Sequence, residues 1–129
     1  MLLPQFKINI RSFVINIYDD VNNLVSNLKK HELTVNFKEI RKKLKKENEE
    51  LFKKIEEFQK LNIEINTKML MEGNVEEEKQ NKSKEMYDEL VKEPLVLEYF
   101  EKELALNKML EDVNSIFMNG VRDIYSEEA

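Results

Sequence analysis

The chain has 129 residues, a net charge of −5, 41% hydrophobic and 36% charged residues, but only two glycines and two prolines. That length allows one domain with a modest core, and so few turn-formers exclude a sandwich or barrel in favour of long helices wetted on one side. The hydrophobic share excludes wholesale disorder, and the negative balance gives no global attraction for nucleic acid or an anionic membrane.

Cysteine is absent, which excludes disulfides, thiolate metal sites and cysteine nucleophiles. The single histidine, His31, cannot build a metal cluster alone. No cofactor is expected.

In the N-terminal stretch Lys7, Asn9 and Arg11 interrupt the apolar residues, so neither a signal peptide nor a membrane span of about 20 apolar residues is expected. Residues 1–16 are assigned to an N-terminal extension, 17–125 to a single helical bundle domain and 126–129 to a C-terminal tail. A cytoplasmic location follows as the default.

The first helix is predicted from Val14 to Lys30, with Ile17, Val21, Leu24 and Leu28 at helical spacing. His31 to Asn36 contains β-branched Thr34 and Val35 and reads as a short connection. From Phe37 to Glu72 no glycine or proline intervenes, and Phe37, Leu44, Leu51, Phe58 and Ile65 recur every seven residues. Two forms stay open here: one unbroken helix, or a break where Asn48 caps a fresh helix opening with Glu49 and Glu50.

Gly73 suits a helix C-cap, and Asn74 with Glu77 suits a capping box for a third helix running to about Lys92. Pro94 can open the last helix, since the first turn needs no backbone donor at that position. That helix is predicted to reach Tyr125, carrying Leu106, Met109, Leu110, Val113, Ile116 and Phe117 as a stripe that must be buried against something. The expected fold is all-α, an antiparallel bundle of about four helices with two long ones. Such long helices would project apolar ends, and a second copy is the simplest cover, so a homodimer is expected. Phe58, Leu61, Ile65, Met69, Tyr99 and Phe100 form the candidate dimer or partner surface.

Catalysis is not expected. Adjacent carboxylates such as Glu49/Glu50 and Glu56/Glu57 diverge by about 100° on a helix and share no face. A Glu-x-x-His metal motif fails because Leu28 stands three residues before His31, and two isolated glycines build no phosphate loop. Arg41, Lys42, Lys43, Lys45 and Lys46 are a candidate RNA contact through phosphates, although Glu47, Glu49 and Glu50 are placed to pair with them as an ordinary solvated face.

Ile17-Tyr-Asp-Asp-Val-Asn-Asn-Leu24, then Asn48-Glu-Glu-Leu-Phe-Lys-Lys-Ile-Glu-Glu-Phe-Gln59, then Glu93-Pro-Leu-Val-Leu-Glu-Tyr-Phe100 resemble, in that order, the YlbF/YmcA family of small bacterial helical proteins. Glu103, Leu106, Leu110 and Ile116 fit its terminal helix. The resemblance covers about residues 17 to 125 and implies a dimerising antiparallel bundle in a cytoplasmic adaptor. Better-known members are required for competence, sporulation and biofilm formation, and act with partner proteins, including family relatives, by influencing endoribonuclease Y and messenger RNA maturation. Some of those complexes carry iron–sulfur clusters on cysteines; this chain has none, so cluster binding does not carry over. The leading expectation is a non-catalytic protein–protein interaction module, with direct RNA binding or a chaperone-like helical scaffold as alternatives.

Overall fold

A computed structural model describes the backbone of residues 2–126 and the side chains of residues 16–126. Among these residues the chain is all-α, with five helices and no strand: α1 (Leu2–Lys30), α2 (Glu32–Glu47), α3 (Glu49–Glu72), α4 (Glu77–Leu90) and α5 (Pro94–Ile124). It divides into two compact units, residues 1–35 and 36–129.

In the first unit helical backbone begins at Leu2, twelve residues ahead of the predicted Val14, while the side chains of Lys7, Asn9 and Arg11 lie outside the described residues. The predicted connection at 31–36 shrinks to His31, because that residue satisfies the opening donors of α2 locally. Its Nδ1 accepts from the Leu33 N–H at 3.1 Å, and its carbonyl from the Val35 N–H at 3.0 Å. The Thr34 hydroxyl donates to the Leu28 carbonyl, so both β-branched residues fit within helix.

The second unit begins within α2. Of the two forms open at Asn48, the broken one is found, and it raises the helix count from four to five. Asn48 adopts φ −148° and ψ 78°, and its Oδ1 accepts from the Leu51 N–H at 3.1 Å, with Glu49 and Glu50 in the positive first turn. Replacing Asn48 by alanine is expected to cost about 1 kcal/mol; an unchanged urea midpoint would show that the cap contributes nothing.

Gly73 closes α3 at φ 78°, its N–H donating to the Met69 carbonyl at 2.9 Å. The Asn74–Glu77 capping box does not form. α4 starts two residues later than that cap would place it, behind Glu76, whose side chain offers no cap and pairs with Lys68 at 3.4 Å. α4 also ends at Leu90 rather than Lys92, and Pro94 opens α5 as predicted.

α4 returns antiparallel against α3. Ser83 Oγ donates to Asn62 Oδ1 at 2.7 Å, and Phe58 lies 6.0 Å from Tyr87, two contacts in one register. α5 then turns back at Pro94 and rises beside α3, as Phe58–Phe100 at 5.8 Å and Gln59–Glu103 at 3.0 Å require. The core gathers where the α2–α3 break meets the α4–α5 junction: Ile40, Leu44, Phe52, Ile55, Leu90, Val96 and Tyr99.

Candidate functional site

The sequence-derived partner surface separates into a buried and an open part. Tyr99 is a core residue, 2% exposed and 5.3 Å from the Phe37 ring, so it offers no surface. Phe58, Leu61, Ile65 and Phe100 are half-buried, and Met69 is exposed. Phe58, Tyr87 and Phe100 form an aromatic cluster in which the Tyr87 and Phe100 rings stack at 5.9 Å with 17° between planes.

Beside this cluster a polar link joins α3 to α5. The Gln59 amide donates to both Glu103 oxygens at 3.2 and 3.0 Å. Burial raises the Tyr99 hydroxyl pKa above its ordinary value of 10.0, and the Glu103 charge raises it further. Folding therefore favours the neutral phenol. Its contribution is complete below pH 10 and is lost as pH climbs through the raised value.

The sequence places the partner surface on α3 and the Pro94 junction, whereas a further open apolar face lies along the end of α5. From Leu106 to Ile124 one stripe carries Leu106, Met109, Leu110, Val113, Ile116, Phe117, Gly120, Val121 and Ile124 with no charge among them. It continues the face that holds Leu95 against the core and Tyr99 within it, and spans about 27 Å, with Leu106, Met109, Val113 and Val121 half-buried. Ile116 is 73% exposed, Phe117 60% and Ile124 77%. The offset between Gln59 and Glu103 sets Glu72, the last residue of α3, level with about residue 116, so the end of α5 runs past the helix beside it. In the first unit α1 likewise exposes Ile17, Tyr18, Val21, Leu24 and Val25.

The five basic residues are all exposed around a fully buried Leu44. Arg41 and Lys45 lie over the Phe52 ring at 5.4 and 5.9 Å, which holds those two cations against α3. Among the described residues none of the five forms an ion pair.

Between α3 and α4 runs a groove lined by Leu51, Lys54, Glu57, Glu85, Met86, Glu89, Leu90 and Glu93. No three His, Asp or Glu side chains among the described residues are grouped to hold a metal ion. No helix among them is long and apolar enough to cross a membrane.

Helices with open apolar faces, tied by short polar links, define an all-helical protein built around amphipathic surfaces. The chain belongs to the YlbF/YmcA family, whose model, described as control of competence regulator ComK, matches residues 17–122. A UPF0342 protein of Ligilactobacillus salivarius is 27% identical over 117 residues, covering 89% of this chain and 99% of its own length. Another from Listeria welshimeri is 24% identical over 112 residues, covering 87% and 95%. A third, from Desulfitobacterium hafniense, is 28% identical over 109 residues, covering 84% and 87%. No solved structure matches the chain.

Proposed function

We propose that the chain is a non-catalytic cytoplasmic adaptor that works as a homodimer and by protein–protein contact. In this reading it influences RNA processing or developmental control through a protein partner, a family relative or an endoribonuclease complex. The observation that carries the reading is the uncharged stripe at the end of α5, where Ile116, Phe117 and Ile124 stand open to water. Contiguous open apolar residues of this kind support an interaction face. The family's description, control of a competence regulator, agrees with a regulatory role.

The test is affinity capture with the full chain from cell extract, with and without ribonuclease. A single protein recovered at equal stoichiometry after ribonuclease is the expected result. Recovery of RNA-dependent material only would overturn the adaptor reading.

That outcome would instead favour direct RNA binding through Arg41, Lys42, Lys43, Lys45 and Lys46, a second reading supported by their exposure without ion pairs. If it holds, neutralising Lys42, Lys43, Lys45 and Lys46 lowers RNA retention at low salt. The slope of log K against log salt then flattens by about 0.7 per lost phosphate contact; unchanged retention removes the idea.

A further inference from the structure

Four carboxylates from three segments line the α3–α4 groove: Glu57 of α3, Glu85 and Glu89 of α4, and Glu93 in the link to α5. The lining includes one cation, Lys54. Glu89 is bonded to Lys92 at 3.1 Å, with both groups exposed, so that pair is weakly held. Glu85 and Glu89 stand one helical turn apart, an arrangement of like charges that costs a free helix stability. Between these walls Leu51 and Met86 are half-buried and form the open apolar strip, with Leu90 of the core, 4% exposed, beneath them.

An acidic α4 wall beside an apolar strip, faced by the Lys54 and Glu57 pair of α3, matches a helix with an apolar face and cations along its α4 side, whose lysines or arginines repeat at the same one-turn spacing. The basic run of α2 in a second copy is a poor match, because its apolar residues Ile40 and Leu44 face their own core, 6% and 0% exposed. It brings cations but nothing to cover Leu51 and Met86. We propose that the groove between α3 and α4 is the docking site for a basic amphipathic helix of a partner protein. The inference rests on the adaptor reading and names the chemistry of the partner.

A labelled helical peptide of about 18 residues, built from leucine on one face and lysine on its flanks, probes the site by fluorescence anisotropy on the full chain. The chain carrying Glu57→Gln, Glu85→Gln and Glu89→Gln is expected to bind about tenfold more weakly. A charge-matched control with Glu98→Gln, Glu101→Gln and Glu111→Gln keeps its affinity, and a peptide with serine in place of leucine loses it. Equal weakening by both triple variants would reduce the binding to net charge and overturn the proposal, as would undiminished binding of the serine peptide. A fall in the mass of the free chain on neutralising the groove would assign it to a second copy, which also overturns it. Because the peptide is read on the chain alone, this proposal can fail while partner capture succeeds.

Discussion

Replacing Leu44 by alanine is expected to lower stability by about 3 kcal/mol, within the range of roughly 2–5 for emptying a fully buried leucine site. Leu44 has no exposed surface and sits where α2, α3 and α5 converge, with Ile40, Phe52, Ile55, Val96 and Tyr99 in the same cluster. The core is small, so neighbours on all sides would be left without contacts. Leu70, 87% exposed, is the control: its alanine variant should stay within about 0.5 kcal/mol of the parent. Urea unfolding followed by circular dichroism separates the two. Equal midpoints for both variants would place the core elsewhere.

Phe117→Asp is expected to weaken self-association at least ~100-fold while leaving the fold unchanged. The ring is 60% exposed, so packing it against a second copy removes roughly 130 Å² from water, worth about 3 kcal/mol. That is about two powers of ten in the dissociation constant, and a two-fold dimer would bear the change twice. An exposed substitution should not disturb the free chain, which the helical signal checks. Ile116→Asp, at 73% exposure, should act in the same way, whereas Lys108→Asp on the polar side of α5 should not. A variant that keeps its parent's self-association would leave the stripe without the role assigned to it.

The elements most legible in the sequence are those whose cause is local. Pro94 opens α5 because its ring fixes φ where a first turn needs it, and Gly73 ends α3 because φ 78° is open to glycine. The heptad from Phe37 to Ile65 survives the break at Asn48, with Leu44 buried and Phe37, Leu51, Phe58 and Ile65 half-buried. Periodicity alone could not choose between a continuous helix and a capped restart; the Asn48 side chain decides that by bonding Leu51. Neither could it foresee His31 as a cap, since histidine ranks low among capping residues and acts here through Nδ1.

The site was less legible because its parts are distant in the chain. Gln59 and Glu103 stand 44 positions apart, and no period links them. Likewise Glu57, Glu85, Glu89 and Glu93 read as solvated helix faces until the turn at Gly73 and the link before Pro94 set them about one groove. The α5 stripe is visible in the sequence, but its exposure is a matter of relative helix length: 31 residues in α5 against 24 in α3 and 14 in α4.

The most direct test of the central claim is the mass of the unmodified chain by light scattering at tens of micromolar. Twice the 15.5 kDa of one chain, falling on dilution and absent in Phe117→Asp, is the expected result. A single-chain mass at every concentration would contradict the account and leave the end of α5 to some other partner.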